Sequence, residues 1–279
     1  MSANSVLRRA VKAALHPLLG ERTYSYVQGV AKAIDIRRGK WSEPEMDLIA
    51  YAVRPGDDVL DLGANFGMYT YPLSKAVGAS GRVYAFEPVP FTNRALTVVT
   101  RLLGLKNVTV VSKGCSDVAA TIDFELPIQP SGAPSAGQAY IGRRNDDRSG
   151  RESQVRWNET RRVSCEVVAL DSYLPELRRL SLIKCDIEGA ELLAFRGAVR
   201  TIEKHRPSII CEINPWFLDG FGLRLEDLVG FFIDRGYGLY RYGADRMLAP
   251  VRDLSAITED NYVFLHPTRL PPFAPLIAA

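Results

Sequence analysis

Short apolar runs alternate with longer amphipathic stretches along most of the chain. Each run has the length of a strand and is followed by apolar residues at helical spacing, and glycine, proline and aspartate separate the two. This alternation indicates βαβ units, which form a parallel sheet covered by helices on both faces. The predicted strands are 58–62, 82–86, 107–113, 181–185 and 208–213, and the predicted helices are 66–77, 90–103 and 225–235.

Both ends of the chain add elements to this pattern. Helical patterns cover residues 5–36 and 43–53, and Ser42 is a candidate cap for the second helix. Near the other end, segments 237–241 and 261–265 pair as an antiparallel hairpin that closes the sheet. The chain is long enough for one domain with a sizeable core. The predicted division is an N-terminal helical extension, 1–54, and one large domain, 55–279.

The alternation of strands and helices breaks at Ala119. Residues 121–126 and 162–168 have the pattern of two strands that pair with each other, and the residues between them are rich in Pro, Gly, Ser, Asn and Arg. A loop of this length in a compact domain is usually either functional or disordered. We predict that 127–161 is an insertion, either a lid that faces the substrate or a segment without that role.

The charge of the chain is unevenly distributed. The net charge of +3 is too small to indicate a nucleic acid as the substrate, yet residues 1–41 carry eight Arg and Lys against Glu21 and Asp35. Apolar residues recur at helical spacing between Val6 and Leu19, so this segment is predicted to be a basic amphipathic helix. Such a helix either binds an anionic membrane or a partner, or packs on the flank of its own domain.

The composition favours a cytoplasmic globular enzyme. Hydrophobic residues make up 47% and charged residues 24% of the chain, and no apolar run has the length of a transmembrane helix. Arg8, Arg9 and Lys12 interrupt the apolar stretch that a secretion signal needs. The cysteines lie in or beside apolar strand-like segments without metal-ligand spacing, which indicates buried thiols in a reducing compartment. They are Cys115, Cys165, Cys185 and Cys211.

The first predicted strand runs into an acidic residue and a glycine turn, Asp61-Leu62-Gly63-Ala64-Asn65-Phe66-Gly67. Gly63 can adopt a positive φ and, because it lacks Cβ, allows a ligand to approach the backbone. The turn differs from a dinucleotide fingerprint, since Asn65 stands where a pyrophosphate requires a second glycine. The pattern D-x-G-x-N-x-G instead resembles the first motif of class I S-adenosylmethionine-dependent (SAM-dependent) methyltransferases. A purely structural turn is the alternative.

The second predicted strand also ends in a carboxylate. Glu87 lies 24 residues after Gly63, near the offset at which an acidic residue contacts ribose hydroxyls in folds of this kind. A carboxylate accepts two hydrogen bonds from a cis-diol, so Asp or Glu is the residue type that this contact needs. Glu87 is therefore a candidate cofactor ligand, and a solvated acid at a strand end is the alternative.

Four segments together resemble the FkbM-type family of class I SAM-dependent methyltransferases. They are DLGANFG at 61–67, VYAFEP at 83–88, SLIKCDIEGAELLAFRGA at 181–198 and RPSIICEI at 206–213. The resemblance implies a doubly wound, Rossmann-like α/β fold with a seven-stranded, mostly parallel sheet. It also implies SAM as the cofactor. The cofactor-binding residues that follow from it are Asp61, Gly63, Asn65, Gly67, Glu87, Pro88, Ser116, Asp117 and Asp186.

Three carboxylates, Asp186, Glu188 and Glu212, are the candidate catalytic residues. They lie at or just past predicted strand ends, where open α/β sheets bind their ligands. A hydroxyl acceptor needs a carboxylate, His or Lys to take its proton, or a metal that lowers its pKa. Lys184 lies on the same side of its strand as Asp186 and points either into the site or into the sheet packing. Because carboxylates also suit Mg²⁺, binding of a divalent metal is a further possibility, which the sequence alone does not support.

The resemblance implies O-methylation of a hydroxyl on a small molecule, sugar or polyketide-type product, so the expected acceptor is a small molecule or a glycan. No residue selects oxygen over nitrogen as the methylated atom. Two other classes of protein stay open: a non-catalytic interaction protein on the same scaffold, and a nicotinamide-dependent oxidoreductase. Asn65 in the glycine turn argues against the oxidoreductase. The oligomeric state is not predicted.

Overall fold

The computed structural model of the protein describes residues 6–128, 140–141 and 160–277. Its strands are β1 (Asp58–Leu62), β2 (Arg82–Phe86), β3 (Val108–Val111), β4 (Gly114–Cys115), β5 (Ala120–Pro127), β6 (Tyr140–Ile141), β7 (Thr160–Val168), β8 (Leu180–Cys185), β9 (Ser208–Ile213), β10 (Gly238–Tyr242), β11 (Leu248–Pro250) and β12 (Asp260–Leu265). The α-helices are α1 (Val6–Arg37), α2 (Ile49–Ala52), α3 (Thr70–Val77), α4 (Pro90–Leu102), α5 (Leu170–Tyr173), α6 (Glu191–Arg196), α7 (Val199–His205), α8 (Pro215–Gly220) and α9 (Leu225–Ile233). Short 3-10 helices lie at Pro44–Leu48, Leu254–Ala256, Pro267–Arg269 and Pro271–Leu276.

The larger sheet has the strand order β11-β10-β12-β9-β8-β1-β2-β3. The strands from β9 to β3 run parallel to their neighbours, whereas β12 is antiparallel to both β9 and β10. The predicted α/β fold, with a mostly parallel sheet and antiparallel C-terminal strands, is therefore confirmed. The sheet has eight strands instead of the predicted seven, because the three-residue strand β11 pairs with β10 at the edge.

Helices cover both faces of this sheet, and alternate side chains of a strand face opposite cores. On β1, Leu60 and Leu62 join one hydrophobic cluster and Val59 joins another, and all three are fully buried. Leu48 and Ile49 belong to the same cluster as Val59. The second half of the predicted N-terminal extension is thus part of the core that supports the strands.

The strands lie close to their predicted positions, but two helices begin differently. Residues 63–69 form turns, with Asn65 and Gly67 at φ values of 49° and 90°, so α3 begins at Thr70 instead of residue 66. The segment after Ser42 begins as a 3-10 helix, and Glu43 occupies its N-cap position. The prediction that Ser42 caps this helix is therefore wrong. Apolar periodicity does not report where such turns give way to a helix.

The insertion contributes to a smaller sheet of order β4-β7-β5-β6. The predicted pairing of its flanking strands is confirmed, because β5 and β7 are antiparallel from the pair Ala120–Val167 to the pair Pro127–Thr160. Most of the predicted loop, residues 129–139 and 142–159, lies outside the described residues. Its role as a lid stays a prediction.

The N-terminal helix α1 packs on α4 along the flank of the domain. Gly29 permits this close approach, because an added Cβ would lie 2.7 Å from Val98 Cβ. The same helix leaves Tyr26, Val30 and Ile34 exposed. The side chains of residues 6–18 lie outside the described part of the chain. Contact of this basic segment with a membrane or a partner therefore stays a prediction.

Two further expectations concern the environment of the protein. The four cysteines are buried and carry free thiols, in agreement with their predicted place in the core. Within the described ranges, no helix is both long enough and apolar enough to cross a membrane. The predicted cytoplasmic location stays a prediction.

Candidate functional site

A cavity opens at the carboxyl ends of β1, β2 and β8. Open α/β sheets bind ligands at these strand ends. The predicted site residues that line it are Gly63, Asn65, Glu87, Pro88, Ser116, Asp186 and Glu188. The lining residues that sequence analysis did not identify are Phe86, Val89, Gly114, Cys115, Ile122, Phe124, Val167, Ile187, Ala190, Leu193 and Phe221.

The smaller sheet supplies an apolar wall to this cavity. Ile122 and Phe124 lie on β5 and Val167 lies on β7, and all three line the cavity. Ile122 and Phe124 are separated by one residue and so lie on the same face of their strand. This alternation was the available sequence signal, but it does not reveal that the strands flanking the insertion line the site.

Gly63 lies where β1 and β8 end side by side. Its backbone N–H donates to Phe86 O at 3.0 Å, and its φ is 79°. An added Cβ would lie 1.8 Å from Asp186 O. The predicted positive φ of Gly63 is therefore confirmed, and the group that occupies the space of the missing Cβ is the backbone of Asp186.

Asn65 connects the glycine turn to the end of β2. Its positive φ is one that asparagine tolerates better than most residues. Its backbone N–H donates to Glu87 Oε2 at 3.0 Å. Its side-chain Oδ1 is buried and has no hydrogen-bond partner among the described residues. A polar atom in that situation is usually satisfied by a water or a ligand.

Glu87 is a buried carboxyl group in the cavity wall, 5% exposed. Oε2 accepts from Asn65 N, and Oε1 accepts from Val89 N at 2.9 Å. Burial raises the pKa of Glu87 to about 8, although these two backbone hydrogen bonds oppose the shift. Each carboxylate oxygen accepts more than one hydrogen bond, so both retain capacity for a ligand.

Asp186 lies directly after β8 and is hydrogen-bonded to a neighbouring acid, Glu212. It lines the cavity, and its side chain is 33% exposed. Burial raises the pKa of Glu212, and the charge of Asp186 and a hydrogen bond to it raise the pKa further. Glu212 is therefore the protonated member of the pair at neutral pH. Glu212 is not among the residues that line the cavity, and it reaches the site through Asp186.

Lys184 is buried beneath this pair of carboxyl groups. Its Nζ lies 4.0 Å from Asp186 Oδ2 and donates to Asn261 Oδ1 at 2.8 Å. Burial lowers the pKa of Lys184, but Asp186, Glu212 and Glu43 together raise it by more. The ammonium group thus stays charged at neutral pH, which excludes Lys184 as the proton acceptor in this state.

The hydrogen bonds of Asn261 extend the network to the N-terminal segment. Asn261 Nδ2 donates to Glu43 Oε2 at 3.0 Å, and the Tyr69 hydroxyl donates to the same oxygen at 2.9 Å. Sequence analysis missed all three residues as part of the site. They lie far apart in the chain and belong to no local motif.

Two glutamates follow Asp186 in the turn before α6. Glu188 lines the cavity and adopts a φ of 56°. Glu191 is buried, and its Oε1 accepts from the backbone N–H groups of Ile187 and Gly189 at 3.2 and 3.0 Å. Burial raises the pKa of Glu191 to about 7. Glu191 thus holds the shape of the turn, which places Glu188 at the cavity.

Three predicted cofactor residues do not line the cavity. Asp61 is buried and accepts from Thr70 Oγ1 at 2.5 Å, so it supports the start of α3. An added Cβ at Gly67 would lie 2.9 Å from Leu96 Cδ1, so this glycine serves helix packing. Asp117 accepts a hydrogen bond from Ser116 Oγ at 3.2 Å. A direct role of these three in ligand contact has no support from their positions.

A divalent metal was left open by the sequence. Within the described residues, no three His, Cys, Asp or Glu side chains are arranged to hold a metal ion. Asp186, Glu188 and Glu212 therefore do not form such a set in this conformation. Asp186 and Glu212 are instead joined to each other by a hydrogen bond.

Comparison with known proteins identifies a family for this chain. The model of the "Methyltransferase FkbM domain" matches residues 61–239, more than half of the chain. Methyltransferase 1 of Beauveria bassiana (strain ARSEF 2860) is 28% identical over 158 residues, which cover 53% of this chain and 61% of that protein. Methyltransferase sdnD of Sordaria araneosa is 24% identical over 205 residues, which cover 67% of this chain and 76% of that protein.

Solved methyltransferase structures are among the proteins to which the chain is similar. The crystal structure of the methyltransferase FkbM from Methylobacillus flagellatus KT has a TM-score of 0.46 and 18% identity, and the match covers 80% of this chain and 50% of that one. The chain thus spans less than two thirds of the length of that protein and of the Beauveria protein. The family resemblance of the four motifs is confirmed by the match over residues 61–239, and the chain belongs to the FkbM methyltransferase family.

Proposed function

We propose that the protein is a SAM-dependent methyltransferase that acts on a hydroxyl of a small molecule, sugar or polyketide-type product. Membership of the FkbM methyltransferase family supports methyl transfer as the reaction. The observation that best supports SAM as the cofactor is Glu87, a buried carboxyl group in the cavity wall with acceptor capacity directed to a ligand.

The cavity residues suit the parts of this cofactor. Glu87 is the proposed partner of the ribose diol, since its two oxygens match two hydroxyl donors. Asn65 Oδ1 suits another hydrogen-bond donor of the cofactor. Ile122, Phe124 and Leu193 offer apolar surface to its adenine ring. SAM supplies a methyl group bound to a positively charged sulfur, and the acidic residues at the cavity favour such a charge.

Asp186 is the proposed acceptor of the hydroxyl proton. It lines the cavity, whereas the hydrogen bond from Glu212 and the ammonium group of Lys184 orient it from the protein side. Methyl transfer needs the acceptor oxygen and the methyl group in line, so a fixed carboxylate also contributes by positioning. Glu188, which lies at the same cavity, is the second candidate for contact with the acceptor.

Binding experiments separate this function from the alternatives. Calorimetry is expected to give saturable binding of SAM and of its demethylated product, and no binding of NAD. Binding of NAD without SAM would favour the oxidoreductase. Saturable SAM binding without transfer to any member of a panel of sugars and polyketide-type alcohols would favour the non-catalytic interaction protein.

Turnover by variants tests the role of Asp186. Asp186→Asn is expected to lower kcat by about 10²–10⁴-fold, the usual contribution of a general base. Glu212→Gln keeps an N–H donor for Asp186 and is expected to retain more activity than Glu212→Ala. Transfer of labelled methyl groups, with and without EDTA, measures both effects and tests the need for a metal. Wild-type turnover by Asp186→Asn would contradict the assignment.

A further inference from the structure

A second pocket lies at the amino-terminal ends of the parallel strands, whereas the cavity lies at their carboxyl ends. Its lining includes Asp57, which precedes β1, and Ser208, the first residue of β9. Because β9 has six residues, its two ends, and so the pocket and the cavity, are about 17 Å apart along this strand. Three arginines, Arg54, Arg179 and Arg269, also line the pocket.

Two of the arginines use only part of their donor capacity. Arg54 Nη1 donates to Ala50 O and Val53 O at 2.8 and 3.2 Å. Arg179 donates to Asp57 Oδ1 through Nε and Nη2, which pairs one arginine with the buried acid. Arg54 Nη2 and Arg179 Nη1 have no partner among the described residues. Guanidinium groups carry five N–H donors, so several donors stay available.

The third arginine is the least exposed of the set. Arg269 Nε donates to Arg206 O at 3.0 Å, and Nη2 donates to Leu180 O and His205 O at 3.1 and 2.9 Å. Burial lowers the pKa of Arg269, whereas Asp57 opposes this shift and the positive charge of Arg179 adds to it. Among the residues that line the pocket, three arginines accompany the single carboxylate of Asp57.

Ser208 provides an independent sign of a missing partner. The residue is 1% exposed, and its Oγ has no hydrogen-bond partner within the described part of the chain. A buried hydroxyl without a partner costs free energy, so such groups are usually satisfied by a water or a ligand. Ser208 lies in the same pocket wall as the arginines.

We propose that this pocket binds a phosphate-type oxyanion through Arg54, Arg179, Arg269 and the hydroxyl of Ser208. The donors come from separate segments of the chain, and a tetrahedral anion offers more acceptor oxygens to separate donors than a carboxylate does. Arginine is the side chain best suited to phosphate oxygens. The ligand is either free phosphate or a phosphate monoester, and this site is independent of SAM binding at the carboxyl ends of the strands.

Calorimetric titration with inorganic phosphate and with glycerol phosphate, at constant ionic strength in chloride, tests the site. Wild-type protein is expected to bind at least one of the two with a stoichiometry of one, and the tighter ligand identifies the source of the phosphate group. Arg54→Gln is expected to weaken binding by about tenfold or more, because it removes a charged donor. Ser208→Ala is expected to weaken it by a smaller factor, about two- to tenfold.

Ser181→Ala is the matched control. Ser181 is also buried and its Oγ also lacks a partner among the described residues, but it does not line this pocket. Its phosphate affinity is expected to equal that of wild type, and all three variants are expected to bind SAM as wild type does. Absence of saturable binding of both phosphates by wild type would overturn the proposal, as would undiminished affinity of Arg54→Gln. Equal weakening by Ser181→Ala would show that the Ser208 effect is not local.

Discussion

Gly63 has no side chain because the end of a neighbouring strand occupies the space. An added Cβ would lie 1.8 Å from Asp186 O, a backbone atom that cannot move without disturbing the pairing of β1 with β8. We therefore expect Gly63→Ala to lower the free energy of unfolding by about 3 kcal/mol or more, since a clash adds to the strain of a positive φ. Urea unfolding measures this loss.

Gly104 offers a matched control for the same substitution. Its φ of 66° is also positive, but an added Cβ would meet nothing within 4 Å. Gly104→Ala is expected to cost only the strain of the left-handed conformation, about 1–2 kcal/mol. Equal losses in the two variants would show that the contact with Asp186 relaxes at little cost.

The proposed contact of Glu87 with the cofactor makes the affinity for SAM dependent on pH. Burial raises the pKa of this carboxyl group to about 8, so at lower pH the ligand-free protein holds a proton there. A diol donates hydrogen bonds to the carboxylate form, and binding then releases that proton. Affinity for SAM is therefore expected to rise with pH, by up to about tenfold per pH unit, and to level off above about pH 8. Calorimetry at several pH values measures this profile.

Glu87→Gln separates this effect from titration of the ligand itself. The ligand's amino group titrates in the presence of either protein, so the difference between their profiles reports Glu87 alone. Above about pH 8, Glu87→Gln is expected to weaken SAM binding by about 1.5–3 kcal/mol, and Glu87→Ala by more, because Gln keeps one acceptor oxygen. Identical profiles for wild type and Glu87→Gln would contradict the role of the carboxylate.

At the scale of elements, β1 and β2 were predictable because each is a buried apolar run between turn residues. They lie at the predicted residues 58–62 and 82–86. Residues 63–69 were predicted in part as helix, because their apolar spacing is helical although Asn65 and Gly67 have positive φ. β11 has only three residues, and its pairing with β10 depends on the preceding turn.

The candidate site was predictable where its chemistry is local. Glu87 and Asp186 follow strand ends, and a strand end in a parallel sheet has a known place relative to ligands. Asn261 contacts Lys184 across 77 residues and Glu43 across 218 residues. Such contacts depend on which strands become neighbours in the sheet, so no local pattern of residues reports them.

The packing of α1 on α4 makes an element-scale prediction. An added Cβ at Gly29 would lie 2.7 Å from Val98 Cβ and 2.8 Å from Ala95 O, so the two helices would have to separate. Gly29→Ala is therefore expected to lower the melting temperature and the free energy of unfolding, by about 1–3 kcal/mol, despite the higher helix propensity of alanine.

Gly230 in α9 provides the opposite case. An added Cβ there would meet nothing within 4 Å, so Gly230→Ala is expected to stabilise the protein by about 1 kcal/mol through helix propensity alone. Thermal and urea unfolding of both variants measure whether each substitution lowers or raises the stability. A stabilised Gly29→Ala protein would mean that α1 is not held against α4 in solution.

At the scale of the whole molecule, the carboxyl ends and the amino ends of the parallel strands differ in the charged residues they carry. Carboxyl groups gather where the strands end and the cavity opens: Asp61, Glu87, Asp186, Glu191 and Glu212. Arginines gather where the strands begin: Arg54, Arg179 and Arg269. The carboxylate of Asp186 suits a sulfonium ligand at the carboxyl ends of the strands, and the arginines suit an oxyanion at the amino ends. One sheet can therefore hold two ligands of opposite charge without mutual competition.

Buried acids make the stability of the ligand-free protein depend on pH. Burial raises the pKa of Glu87 to about 8 and that of Glu191 to about 7, and burial together with Asp186 raises that of Glu212. In the unfolded chain all three titrate at about pH 4.3, so between about pH 6.5 and 8 the folded protein holds protons that the unfolded chain has lost. Stability is expected to fall as pH rises, by up to about 1.4 kcal/mol per pH unit for each group. Burial lowers the pKa values of His205 and His266, which oppose this trend only below about pH 6.5.

Urea unfolding without ligand at about pH 6.5, 7.5 and 8.5 measures this slope. Glu212→Gln removes one titrating group and keeps an N–H donor for Asp186. The free energy of unfolding of this variant is therefore expected to change less steeply with pH, by the contribution of one titrating group. Saturating SAM is expected to flatten the part due to Glu87, because a bound diol favours the carboxylate. A wild-type slope that is absent, or one that Glu212→Gln leaves unchanged, would mean that Glu212 does not hold a proton beside Asp186, and the proposed orientation of Asp186 would lose its basis.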